Sequence, residues 1–204
     1  MATGSDRQSQ GGFPLATGVV LLVVLLTAGR VFVLWPELPS YLASHFDVRG
    51  QPDAWTGKGN FVLLTSGSLL LPITLLLLSR HWFHRIPVAF INLPHKDFWT
   101  QKERLAVAFR VIGGFLSGMA VILALLGALV LELSLRANLS GEPRLSVVPV
   151  LVGVAIALGY GLIGTAVLFR TLGPAGQARQ LAREAQADGA SPGARPGGSP
   201  ASPR

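Results

Sequence analysis

Four long runs of apolar residues, separated by more polar segments, dominate the pattern of the chain. The runs occupy residues 15–35, 61–79, 107–131 and 147–169. A helix needs about 20 mostly apolar residues to cross a lipid bilayer, and each run is close to or above that length. Because lipid offers the backbone no hydrogen-bond partners, each run is predicted to be a transmembrane helix. The pattern therefore predicts an all-α fold, an integral membrane four-helix bundle whose principal partner is the lipid bilayer.

The segments outside these runs divide the chain into three parts. Residues 1–12 and 171–204 are rich in Gly, Pro, Ala and Ser and lack apolar periodicity, so both ends are predicted to be disordered, with one or two helical turns around Gln177–Ala187. Residues 13–170 form the membrane domain. The loop after the first helix is predicted to be an ordered cap, in which 42–46 form a short interfacial turn.

Composition excludes several classes of protein. Half of the residues are hydrophobic and only 13% are charged, whereas a soluble domain carries about 25% charged residues. The absence of cysteine excludes disulfides and thiolate chemistry. The sequence contains no phosphate-binding loop, nucleophile elbow or zinc-protease motif. No catalytic residue, metal site or cofactor is therefore predicted, and the chain is not expected to be an enzyme.

The distribution of lysine and arginine predicts the orientation in the membrane. Twelve of the 17 lie in the N-terminal segment, in 80–110 and from residue 170 onward, whereas the loops 36–60 and 132–146 together hold four. Basic residues concentrate on the cytoplasmic side of membrane proteins. We therefore expect a multi-pass protein of the cell membrane with both termini in the cytoplasm. The net charge of +7 is explained by this topology, and no nucleic-acid partner is expected.

The first run has a second interpretation, a cleaved signal peptide. Its apolar stretch continues past Arg30 to Trp35, which is longer than the apolar region of a typical signal peptide. The length favours an uncleaved membrane anchor.

Three features of the predicted spans concern the packing of the helices and the charges within them. Arg30 and Glu132 lie at similar depth near the outward ends of their helices and are a candidate intramembrane pair. Pro72 predicts a kink in the second helix. Small residues at four-residue spacing in the third and fourth helices predict close packing, either of these two helices within one chain or of two chains in a homo-oligomer.

The outward loop carries the most distinctive chemistry. Its candidate motif consists of Pro39, His45, Phe46, Gly50, Pro52, Asp53, Trp55 and Lys58. His45, Asp47 and Asp53 have the side chains of a metal site. The alternative is a folded cap in which Asp53 accepts bonds from turn amides and His45 bonds a backbone carbonyl. Because three ligands without a dense histidine cluster are a weak metal signal, the folded cap is the preferred interpretation.

A second candidate motif lies in the inward loop. It consists of Asn92, Pro94, Lys96, Trp99 and Arg104. The two motifs together closely resemble a widespread bacterial membrane domain of unknown function, which also forms the N-terminal half of the SdpI-type immunity proteins. The resemblance covers about residues 15–110. It implies an outward loop that senses a peptide and an inward face that docks a cytoplasmic protein.

The chain differs from those immunity proteins in having four predicted spans instead of six and in lacking their C-terminal signature. The expected function is a non-enzymatic sensor, immunity-like or accessory protein, with an outward cap facing a peptide or lipid and an inward basic docking segment. The alternative is a small transporter or a subunit of a membrane complex, in which the kinked helix and Arg30 line a path.

Overall fold

A computed structural model describes residues 12–83, 87, 90 and 93–189. Within these residues the chain forms six helices and one β-hairpin, in the order α1 (Gly12–Leu34), β1 (Tyr41–Phe46), β2 (Pro52–Gly57), α2 (Lys58–Phe83), α3 (Lys96–Trp99), α4 (Lys102–Leu139), α5 (Val147–Leu172) and α6 (Pro174–Gly189).

Four of the described helices, α1, α2, α4 and α5, are long and apolar enough to cross a membrane. Their apolar windows have mean hydropathies between 2.2 and 2.4. The predicted all-α membrane bundle is confirmed.

One helix is much longer than the sequence pattern predicts. Helix α4 has 38 residues, or about 57 Å of length, against 25 residues in the predicted span 107–131. The chain stays helical beyond 131 because buried positions continue at helical spacing, namely Leu131, Leu135 and Asn138. This extension brings the end of the helix to the hairpin, where Asn138 binds Ala43.

Helix α4 is the central element of the bundle. Helices α1 and α2 each pack along α4 but make little contact with each other, whereas α5 packs against α4 and α6. Contact between α4 and α5 depends on small residues, since a side chain at Gly118 would overlap the ring of Tyr160 and one at Gly164 would overlap Phe115. The predicted packing of these two helices within one chain is thus present.

The ordered cap is more regular than predicted. Residues 41–57 form an antiparallel hairpin, with Tyr41 opposite Gly57, Ala43 opposite Trp55 and Phe46 opposite Pro52. The expected turn over 42–46 is a β-strand instead. Two bulges and a proline at the start of β2 interrupt the alternating pattern that reveals a strand in a sequence. The end of the bundle that carries this hairpin is called the hairpin end.

The tail that was predicted to be mostly disordered is helical as far as residue 189, and the helical turns expected around Gln177–Ala187 belong to this helix. Helix α5 continues to Leu172, and Pro174–Gly189 form α6. Proline suits the first position of a helix, and tertiary contacts to α4 and α5 supply the stability that the polar sequence of α6 lacks alone. This opposite end is called the tail end. Residues 190–204 and 1–11 lie outside the described residues.

Candidate functional site

A buried asparagine attaches the hairpin to the end of α4 through hydrogen bonds. The Oδ1 atom of Asn138 accepts from the backbone N–H of Ala43 at 2.7 Å, and its Nδ2 atom donates to the carbonyl of the same residue at 3.1 Å. Nδ2 also donates to the carbonyl of Ser134, one turn earlier in α4, at 2.9 Å. Asn138 therefore acts toward β1 as a neighbouring strand would, because it satisfies both backbone groups of one residue.

The turn of the hairpin is held by its own aspartate and by the segment before α5. The Oδ1 atom of Asp47 accepts from the backbone N–H groups of Arg49 and Gln51, each at 2.8 Å. The carbonyl of Gly50 accepts from the N–H of Leu145 at 2.9 Å. Gly50 has a φ of 76°, and a Cβ here would overlap the carbonyl of Leu145. Only glycine fits both this conformation and this contact.

The polar residues of the cap have different roles from those predicted. Asp47, and not Asp53, binds the turn amides. The Oδ1 atom of Asp53 instead lies 2.5 Å from Nδ1 of His45, within hydrogen-bonding distance, and both side chains are exposed. Among the described residues, no three histidine or carboxylate side chains gather as metal ligands. The pair links β1 to β2 across the mouth of the turn.

The hairpin exposes three apolar side chains. Val48 in the turn is 89% exposed, Tyr41 of β1 71% and Trp55 of β2 53%. Leu42 and Ala43 of β1 are fully buried. Of the remaining motif residues, Phe46 and Pro52 are half-buried and Pro39 is exposed. The hairpin that contains the motif thus has an ordered backbone and exposes Tyr41, Val48 and Trp55.

Lys58 joins the hairpin to the end of α1. Its ammonium lies 4.8 Å from the ring centroid of Trp35 and donates to the carbonyl of that residue at 3.3 Å. A cation over an indole ring is favourable. Lys58 therefore ties the start of α2 to the residue that follows α1.

The structure brings Arg30 and Glu132 together. Two nitrogens of Arg30 donate to the two carboxylate oxygens of Glu132, at 3.1 and 3.2 Å. Arg136, one turn further along α4, donates to the same carboxylate at 2.6 Å. One carboxylate thus bridges two guanidinium groups at the hairpin end, and the geometry to Arg30 is the bidentate one.

The hairpin lies within a segment of the chain that matches a protein-family model. The model for a domain of unknown function, DUF1648, matches residues 22–73. The match spans the second half of α1, the whole hairpin and the first 16 residues of α2. No curated protein and no solved structure matches the chain. The matched segment is therefore the hairpin together with the two helices that carry it.

At the tail end, the inward motif is used within the chain itself. The Nε1 atom of Trp99 donates to the carbonyl of Leu172 at 2.6 Å, and both residues are buried. This bond satisfies a carbonyl at the last turn of α5, just where the chain bends into α6. Pro94 lies in the turn before α3, and Lys96 begins that helix. Asn92 lies outside the described residues.

Arg104 of the same motif attaches α6 to α4. It donates to both carboxylate oxygens of Glu184, at 3.0 and 2.7 Å, and its guanidinium lies 4.1 Å from the ring centroid of Phe98. The hydrogen bonds from Arg104 and Gln180 lower the pKa of Glu184 from 4.5 to about 2. Trp99 and Arg104 of the inward motif therefore both bind partners inside the chain.

Two residues outside the motif, Asn138 and Leu145, fix the hairpin and were not predicted from the sequence. Leu145 acts through its backbone and leaves no signal in the sequence. Asn138 carries a signal, because it continues the buried stripe of Leu131 and Leu135 along α4. A polar residue on a buried helical face needs a partner, and the neighbouring hairpin supplies it.

Proposed function

We propose that this chain is a non-enzymatic sensor or accessory protein of the bacterial cell membrane, with the hairpin as its recognition element. The observation that carries the proposal is the contrast between the fixed backbone of the hairpin and its exposed apolar side chains. Asn138 and Leu145 hold the backbone through hydrogen bonds, whereas Tyr41, Val48 and Trp55 are exposed. Aromatic groups on a preorganised backbone lose little conformational entropy on binding, which favours a recognition surface.

The geometry of the hairpin favours a peptide as the partner of this surface. The sheet has two strands and therefore two edges. At the edge of β1, Asn138 occupies both backbone groups of Ala43. Strand β2 forms the other edge, and its residues Asp53–Trp55 are exposed. An extended peptide can add to such an edge through backbone hydrogen bonds, with specificity from neighbouring side chains.

The proposal places the hairpin outside the cell. It rests on the distribution of lysine and arginine, which are abundant in 80–110 and from residue 170 onward but scarce in the loops 36–60 and 132–146. A periplasmic reporter fused after Gly50 should be active, and a cytoplasmic reporter at the same place inactive. The opposite result would invert the orientation and remove an extracellular peptide as the partner.

The resemblance to SdpI-type proteins supports a second part of the proposal, a cytoplasmic partner at the tail end. Because Trp99 and Arg104 are engaged within the chain, we assign docking to the exposed side chains beside them, Arg179 and Arg183 of α6. Exchanging these two arginines for glutamine should remove the cytoplasmic partner in a crosslinking experiment in native membranes. The same exchange at Arg49, in the hairpin turn, is the matched control.

Photocrosslinking from the hairpin tests the central claim. A photoreactive amino acid at position 55 should capture one dominant partner peptide in native membranes, and the variant Val48→Ser should reduce its yield. A photoreactive residue at Phe32, which is 82% exposed but lies on α1, is the control and should label lipid. If a photoreactive residue at position 55 labelled only lipid, as the control at position 32 should, the hairpin would be an interfacial anchor and the proposal would fail.

One observation favours the alternative, a small transporter. Arg30 and Glu132 contribute to the lining of a cavity of about 190 Å³ between α1 and α4, and charged residues inside membranes often belong to ion or proton paths. Reconstituted protein should then show a proton or ion flux that Glu132→Gln abolishes. A flux that is unchanged in this variant would exclude the path through this pair.

A further inference from the structure

A lateral groove runs along the bundle within the membrane-spanning helices. It has a volume of about 490 Å³, within the usual range for sites that hold small molecules. Helices α1 and α2 form its walls and α4 its floor. Since α1 and α2 each pack on α4 but hardly on each other, the groove lies open toward the lipid.

The groove lies between two well-packed layers of side chains. Toward the hairpin end, Val31 and Leu131 belong to a buried cluster with Leu42 and Phe61. Deeper in the bundle, Ile73 and Ala124 belong to a second cluster. The layer between them is built from small residues, which cannot fill the space between three helices. These residues are Thr27, Ala28, Ser66, Gly127 and Ala128.

The shape of the groove fits one extended hydrocarbon chain. Its lining residues on α2 run from Val62 to Ile73 on one face of the helix, a rise of roughly 17 Å. One leaflet of a bilayer has a hydrocarbon thickness of about 15 Å. The hydroxyl of Thr27 donates to the carbonyl of Val23 at 2.7 Å, so it does not require a polar group from an occupant.

A cation stands at the hairpin end of the groove. Lys58 lies one turn before Val62, on the same face of α2 as the lining residues, and its ammonium covers the ring of Trp35, which also lines the groove. An ammonium has three N–H donors, and one of them binds the carbonyl of Trp35. In the described part of the chain Lys58 forms no ion pair. Lys58 is also the first residue of α2, where the helix dipole favours negative charge.

We propose that the groove binds one acyl chain of an anionic phospholipid, with the lipid phosphate beside Lys58. The apolar lining, the length of one leaflet and the cation at headgroup depth each match one part of such a molecule. The site lies below the hairpin and does not depend on whether the hairpin binds a peptide. Its main part belongs to residues 22–73, the segment that matches the family of unknown function.

The test uses the full-length protein in vesicles that contain a phospholipid with a photoreactive group near the end of one acyl chain. Two probes are compared, a phosphatidylglycerol and a phosphatidylcholine with the same chains. The phosphatidylglycerol probe should label peptides that contain Ser66 or Gly127. Filling the groove by Gly127→Leu, or independently by Ser66→Leu, should reduce this labelling several-fold. Gly113→Leu is the control on α4, because a side chain at Gly113 enters open space.

A second pair of variants tests the headgroup. Lys58→Gln should reduce the preference for phosphatidylglycerol over phosphatidylcholine by about five-fold, the usual contribution of one basic residue near an anionic lipid. Arg49→Gln, in the hairpin turn, should leave the preference unchanged.

Three results would overturn the proposal. The first is equal labelling of the filled variants and Gly113→Leu, which would mean that lipid only covers the outer surface. The second is an unchanged lipid preference in Lys58→Gln. The third is crosslinking of a photoreactive residue at position 66 to a second copy of the chain or to a peptide, which would show that protein fills the groove.

Discussion

The two ends of the bundle use their distinctive sequence motifs in opposite ways. At the hairpin end, the motif shapes a backbone that presents Trp55 and Val48 to the surroundings. At the tail end, Trp99 is 2% exposed and Arg104 binds Glu184 within the chain. The position of a tryptophan in a polar loop therefore does not predict whether its side chain is exposed or buried, because that depends on whether another element packs over it. The difference supports the proposal that the hairpin end serves recognition, whereas the contacts at the tail end join the helices to one another.

The largest effect on stability is expected at Asn138. Changing Asn138→Leu removes three hydrogen bonds and leaves the backbone groups of Ala43 without these partners, which should cost roughly 2–4 kcal/mol. The melting temperature of the purified protein in detergent should fall, and cleavage by trypsin at Arg49 should accelerate. Asn60→Ala, at an exposed position of α2, is the control. A hairpin that stays protected in Asn138→Leu would mean that other contacts hold it.

The same substitution at two tryptophans compares the two ends directly. Trp99→Phe deletes the buried bond to Leu172 and should destabilise the protein by about 1–3 kcal/mol. Trp55→Phe changes an exposed side chain and should cost less than about 0.5 kcal/mol, which lowers the melting temperature by less than about 2 °C. Thermal unfolding of the two variants measures the contrast. Equal shifts in both would remove the distinction between the ends.

A smaller effect is expected from the charge pair near the hairpin end. Arg30→Gln and Glu132→Gln each break the bidentate contact, so the double variant should lose less stability than the two single losses added together. Arg136→Gln retains that contact and is the comparison variant. Melting temperatures of the unchanged protein, the two single variants and the double variant give the coupling energy between Arg30 and Glu132. Strictly additive losses would count against an energetic link.

The smallest effect is expected from the pair of Arg104 and Glu184, and it should depend on pH. Because folding lowers the pKa of Glu184 from 4.5 to about 2, the stabilisation is fully present above pH 4.5 and is lost as the pH falls toward 2. Protease protection of α6 should decrease over this range. The decrease should be absent in Glu184→Gln and retained in Glu103→Gln, an exposed control on α4. The same profile in both variants would assign the change to another group.

The resemblance at the hairpin predicted an ordered cap, yet not its strands. Proline at the start of β2 and two bulges hide the alternation by which a sequence reveals a hairpin. The depth of Arg30 and Glu132 within their helices was enough to nominate the pair, because the rise of a helix fixes how far a charge lies from its end. The additional contact from Arg136 depends on α4 continuing as a helix past residue 131, which the apolar run did not indicate.

Sequence alone determined the class of this protein, since four apolar runs with few charges fit only helices in lipid. It could not determine which polar residues would be covered. Tertiary structure decided that Asn138 meets Ala43, that Trp99 meets Leu172 and how far α6 extends beyond its predicted helical turns. The physical reason is that the burial of an apolar run is set by the lipid around it, whereas the partner of a polar group is set by whichever distant segment packs against it.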